Sequence, residues 1–134
     1  MYNMDVQRDA AILEVFYKNL TFLYRTTGYA TIEEVIDLCM QSQAPRFFVS
    51  AQRAMRYISL MRRGIPVCFK NSNRQRMYTE IYRRFISAAQ GRRPACQVMK
   101  DVLAQPAPSF YINRDSFRHC VYTAIKRRKK CTSF

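Results

Sequence analysis

Hydrophobic and polar positions alternate with helical spacing in six stretches of the chain. In the first, Ile12, Leu13, Phe16, Leu20, Leu23 and Tyr24 recur at the interval of an amphipathic helix facing a core, which predicts a helix over 6–26. Asp5 is placed to cap it, Asp9 and Glu14 suit its N-terminal half, and Gly28 closes it. Thr31 and Glu34 then form a near capping box for a second helix, with Ile32, Val35, Ile36, Cys39 and Met40 inward. Pro45 stops that helix, because the residue before a proline avoids the helical region. A third helix is predicted from Ala51 to Arg63, capped by Ser50 and ended by Gly64, with Ala54, Ile58 and Met61 as its apolar stripe. Its opposite face carries Gln52, Arg53, Arg56, Ser59 and Arg63.

After a linker over Ile65–Asn73 the same plan returns. A helix over 72–89, capped by Ser72 or Asn73, turns Met77, Tyr78, Ile81, Phe85 and Ile86 inward. A helix from Pro94 to about Ala104 buries Ala95, Val98, Met99, Val102 and Leu103. Asn113 caps a last helix whose stripe, Phe117, Val121, Ala124 and Ile125, follows that of the third.

The recurrence is literal at the connectors. Ala44-Pro45-Arg46-Phe47-Phe48-Val49-Ser50 returns 63 residues later as Ala107-Pro108-Ser109-Phe110-Tyr111-Ile112-Asn113. Gly28 and Gly91 each stand sixteen residues before the respective alanine. Such a fixed period marks an internal duplication. The expectation is an all-α single domain, 1–134, of six helices in two pseudo-symmetric three-helix repeats, about 6–64 and 72–130. Phe47–Val49 and Phe110–Ile112, aromatic and β-branched, are expected to pair as a very short two-stranded ribbon.

With 49% hydrophobic residues and nine each of Phe and Tyr, the chain can build a core. No apolar run approaches the ~20 residues of a membrane span. Nor does Met1 to Asp9 show a basic flank before an apolar block. The expected setting is soluble, intracellular and cytoplasmic, with no membrane partner.

Charge narrows the picture most. The net charge is +14, and it is segregated. Residues 1–37 carry six acids and three bases, whereas 38–79 carry eight bases and no acid. From residue 38 onward, twenty bases against three acids give +17. The chain ends on Lys126-Arg127-Arg128-Lys129-Lys130, read as a phosphate-contacting tail. A basic surface of this kind is the footprint of a polyanion binder.

Catalytic chemistry is poorly provided for. The one histidine, His119, neighbours Cys120 at no ligand spacing, and Asp115 stands four residues before it as a surface partner. The three glycines punctuate helices and build no phosphate loop, and the nine acids form no metal-binding motif. Of the five cysteines, Cys39, Cys96 and Cys120 occupy apolar helical positions suited to buried free thiols. No enzyme activity, cofactor, metal or small-molecule substrate is expected.

The remaining reading is a nucleic-acid binder, duplex DNA before RNA. Arg46, Gln52, Arg53 and Arg56 would read bases in the first repeat, with Arg114, Ser116, Arg118 and His119 as their counterparts in the second. Arg62, Arg63 and Lys126, Arg127, Arg128, Lys129 and Lys130 would hold phosphates. The helix–connector–helix unit is like a helix-turn-helix, but its seven-residue Pro-aromatic connector exceeds the usual 3–4-residue turn. Size, duplication and charge are compatible with a regulator or accessory factor of a bacterial, phage or mobile-element system. Two alternatives stand beside it. The aromatic pairs Phe47/Phe48 and Phe110/Tyr111 could stack on single strands or RNA loops, or the basic face could bind an acidic protein in an assembly, with homodimer formation possible.

Overall fold

The computed structural model describes residues 4–132, with side chains as far as residue 127, and these residues form six α-helices and no β-strand. They are α1 (Met4–Thr27), α2 (Ile32–Met40), α3 (Ala51–Arg62), α4 (Ser72–Ala88), α5 (Ala95–Leu103) and α6 (Arg114–Thr132). The all-α class follows from the periodicity. The helices pack as two compact units, one drawn from residues up to Ala44 and from Pro108 onward, the other from Pro45–Ala107.

These units do not follow the sequence repeats. The third helix of each repeat packs with the first two helices of the other: α6 with α1 and α2, and α3 with α4 and α5. The two third helices carry apolar stripes of the same spacing. The stripe Ala54, Ile58, Met61 matches Phe117, Val121, Ala124 in spacing though not in side-chain size, so spacing alone does not decide which helix pair each third helix covers.

In the first unit, Ile12 and Phe16 of α1 meet Val35, Ile36 and Cys39 of α2 and Phe117 and Val121 of α6 in the buried core. Phe110 joins it, edge-on to Phe117 at 6.0 Å between ring centres. Thr31 Oγ1 caps α2 by accepting from the Glu34 N–H at 3.2 Å, and Asn113 Oδ1 caps α6 by accepting from the Ser116 N–H at 2.7 Å. Asn19 Nδ2 donates to the Val15 carbonyl at 3.1 Å and lies 3.4 Å from Cys39 Sγ, tying α1 to α2. Asp5 sits within the first turn of α1 rather than capping it, where a carboxylate still favours the helix N-terminus. Tyr24, expected inward, is 63% exposed, on the same side of the helix as Tyr17 at the margin of the stripe.

In the second unit, Ala54 and Ile58 of α3, Tyr78, Ile81 and Phe85 of α4, and Val98, Met99, Val102 and Leu103 of α5 close the core over Phe47 and Val49. Truncating Ile58 or Phe85 to Ala there costs about 2–5 kcal/mol. α3 ends in a Schellman motif: Gly64, at φ +74°, lets the Ile65 N–H reach the Leu60 carbonyl at 3.0 Å. Asn71, not Ser72 or Asn73, caps α4, its Oδ1 accepting from the Asn73 N–H at 2.8 Å. Asn73 is instead buried, its Oδ1 accepting from the Arg76 guanidinium. Ala95 and Ile86, both expected inward, are exposed.

The expected ribbon is absent, since neither 47–49 nor 110–112 is a strand. The Phe47 N–H donates to the Leu103 carbonyl at 3.0 Å, and its ring is buried. Tyr111 takes a positive φ of 55°, and its N–H donates to Ser109 Oγ at 2.9 Å, which breaks the extended run. Burial of the first ring in each pair wins over strand pairing.

Candidate nucleic-acid interface

The two units differ sharply in charge. Residues 45–107 contain thirteen Lys and Arg against two acids, net +11, whereas the rest of the chain has ten against seven, net +3. Both acids of the 45–107 unit are occupied. Glu80 accepts from Arg83 Nη2 at 2.5 Å and from Arg84 Nε at 2.9 Å, and Asp101 pairs with Arg93 and accepts from Gln97 Nε2 at 3.2 Å. The Arg83 hydrogen bond, helped by Arg84, holds the Glu80 carboxyl below the usual range. The Glu80 carboxylate is thereby favoured in its charged form.

Arg84 is structural. Its guanidinium lies 5.0 Å over the Phe47 ring and donates to the Pro106 carbonyl at 2.8 Å. Arg46 is turned back on its own backbone, with Nε donating to the Phe47 carbonyl at 3.2 Å, and is half-buried. The other proposed readers on α3 are different: Gln52, Arg53 and Arg56 are exposed, as are Arg62 and Arg63 at its end. Among the described residues, none of these four arginines has a carboxylate within ion-pair distance. Arg62 sits 5.8 Å over Phe85, and with Met55, Ile58, Ser59 and Arg63 these two residues line an open hollow of about 370 Å³.

An aromatic cluster joins α3, the segment after it and α4. Phe69 stacks on Tyr78 with ring centres 5.0 Å apart and 11° between planes, and Tyr57 lies 5.0 Å from Phe69 and 4.7 Å from Tyr78. Burial, then Tyr57, pushes the Tyr78 hydroxyl up, while the nearby Arg53 and Arg74 charges pull the other way. Arg74, at the start of α4, and Arg53 of α3 thus both act on the Tyr78 hydroxyl, and Lys70 in the intervening segment is exposed. The acid-free run from Leu38 to Thr79 was the signal that could have found Lys70 and Arg74.

The counterparts on α6 are arranged otherwise. Arg114 Nη2 lies 2.5 Å from Glu33 Oε2 and 3.1 Å from Asp37 Oδ1, and Arg118 Nη2 lies 2.9 Å from Glu33 Oε2. Arg114 and Arg118 are thus neutralised by α2 of their own unit. Asp115 approaches Arg118 at 4.0 Å rather than His119, which is exposed, as is Ser116. Lys126 and Arg127 are exposed on α6, while the side chains of Arg128, Lys129 and Lys130 lie outside the described residues.

Phe47 and Phe110 are buried, so the first ring of each connector pair is core rather than a platform for bases. Cys39 is buried as expected, but Cys96, expected inward, is exposed, as is Cys68. Among the described residues no cluster of His, Cys, Asp or Glu could hold a metal ion, and no helix is long and apolar enough to cross a membrane. Fold and surface together define an all-α protein with one strongly cationic three-helix unit. No protein-family model, curated protein or solved structure matches the chain.

Proposed function

We propose that this chain is a non-catalytic nucleic-acid-binding protein that holds duplex DNA through α3 and the start of α4. One observation carries the reading: the 45–107 unit has net charge +11 with both its acids already paired, leaving Arg53, Arg56, Arg62, Arg63, Lys70 and Arg74 exposed and uncompensated. Like charges gathered on one unit repel one another and oppose its compact state, and a polyanion relieves that repulsion. Gln52, Arg53 and Arg56 near the start of α3 have the chemistry to reach base edges, and the remaining cations meet phosphates.

Fluorescence anisotropy of a labelled random duplex at two salt concentrations tests this. About six phosphate contacts make affinity fall roughly 10³-fold between 50 and 200 mM salt. Arg53→Ala/Arg56→Ala is expected to weaken binding and lower the salt slope by about one per phosphate contact removed. Arg114→Ala/Arg118→Ala, whose guanidinium groups face Glu33, is expected to change binding far less. No duplex binding at about 50 mM salt would overturn the reading and leave the surface to an acidic protein.

A further inference from the structure

Resting on that reading and extending it to a second class of ligand, we infer that the latter half of α1 is a stacking platform for unpaired nucleobases. Lys18, Thr21, Phe22 and Arg25 follow at steps of three, one and three residues, so they share one helix face, with Tyr17 and Tyr24 along its margin. At 100° per residue this face is opposite Ile12 and Phe16, which are buried. Phe22 is 60% exposed and Tyr24 63%, and Tyr29, just beyond the helix, 64%. An open hollow of about 500 Å³ lies among Tyr17, Lys18, Thr21, Phe22, Arg25 and Thr26.

The chemistry of the face selects its occupant. Between Glu14 and Glu33 the chain carries no acid, only Lys18 and Arg25. Exposed rings flanking a column of cations match a strand whose bases are free to stack and whose phosphates need neutralising. A second copy of the chain fits worse. Pairing this face with itself about a twofold axis near Thr21 and Phe22 sets Lys18 of each copy against Arg25 of the other. The Thr26 and Thr27 hydroxyls are spent on the Phe22 and Leu23 carbonyls, at 2.7 and 2.8 Å. The platform therefore offers rings and cations rather than free threonine hydroxyls at its end, and binding by stacking and charge is tolerant of sequence.

The test titrates a thymidine strand of about twelve nucleotides and a blunt duplex against the full chain, Phe22→Ala/Tyr24→Ala and Arg53→Ala/Arg56→Ala. Sedimentation velocity gives the mass of each protein. Phe22→Ala/Tyr24→Ala is expected to weaken the thymidine strand about tenfold or more and the blunt duplex by less than about twofold, while Phe22→Tyr keeps strand binding. Both side chains are exposed, so the circular dichroism melt should hold. A strand that binds the variant as well as it binds the parent overturns the inference, as does a parent dimer that the variant dissolves. Duplex binding without strand binding removes this inference alone; binding of neither removes the proposed function as well.

Discussion

Glu33 and Arg114, 81 residues apart in the chain, meet at 2.5 Å between Oε2 and Nη2, and the same arginine donates to the Glu33 carbonyl at 3.2 Å. Arg118 shares the carboxylate at 2.9 Å. This contact distinguishes two helices whose apolar stripes have the same spacing. α6 spends its leading arginines on α2, whereas α3 keeps its arginines exposed.

Glu33→Gln should loosen that junction modestly. The glutamate is half exposed, so solvent screens the pairs and the loss is about 0.5–1 kcal/mol. Thermal unfolding at low salt is expected to shift down by about 2–4 °C. Raising salt to about 1 M should close the gap between variant and parent, because screening removes what the carboxylate contributes. A variant melting with the parent at low salt would show that the pairs contribute nothing to the unit.

Much of this was legible in the sequence. Thr31, Ser50 and Asn113 were readable as caps because each is a short polar side chain before an apolar stripe, and each caps in the structure. The helix count follows from periodicity alone. The grouping of helices did not, since two stripes of the same spacing do not declare which pair each will cover. The site was half legible. In register, Arg53 and Arg56 correspond to Ser116 and His119, while Arg114 and Arg118 correspond to Ala51 and Met55. The arginines of α6 thus occupy a different side of the helix from those of α3, and only the second repeat sets them against acids. Tyr57, Phe69 and Tyr78 were illegible as a cluster because a tertiary stack brings a linker residue between two helices.

Acid should reveal Glu80. Its carboxyl is held below the usual range by Arg83, so the folded state binds its proton less readily than the unfolded chain. The stability it contributes is full above the unfolded value, near 4.5, and is lost as pH falls through the lower folded value. Denaturant melts from pH 6 to pH 3 are expected to show a shallower acid limb for Glu80→Gln than for the parent. Identical limbs would remove Glu80 from the account.

The thiols should react in order of exposure. Burial pushes the Cys39 thiol up, and burial with the nearby Asp9 charge does the same for half-buried Cys120. Since the thiolate is the nucleophile, alkylation near pH 8 followed by peptide mapping should modify Cys68 and Cys96 before Cys39 and Cys120. Cys39 is expected to wait for unfolding. Slow labelling of Cys96 would return it to the core side of α5.

The exchange of third helices has a consequence that fragments can test. The segment 45–107 is continuous in sequence and contains α3, α4 and α5 together with the buried Phe47, Ile58, Tyr78, Phe85, Met99 and Leu103. Expressed alone, it has every helix contact α3 makes among the described residues, so it is expected to be helical and to unfold cooperatively. A segment over 6–64, one complete sequence repeat, has α3 without α4 or α5, leaving Ala54 and Ile58 with nothing to cover them. That fragment should give weak helical signal and a broad, non-cooperative melt. The salt-dependent duplex binding proposed above should travel with 45–107, since Arg53, Arg56, Arg62, Arg63, Lys70 and Arg74 all lie there. A cooperative 6–64 fragment beside an unfolded 45–107 fragment would mean that the repeats, rather than the exchanged helices, are the folding units.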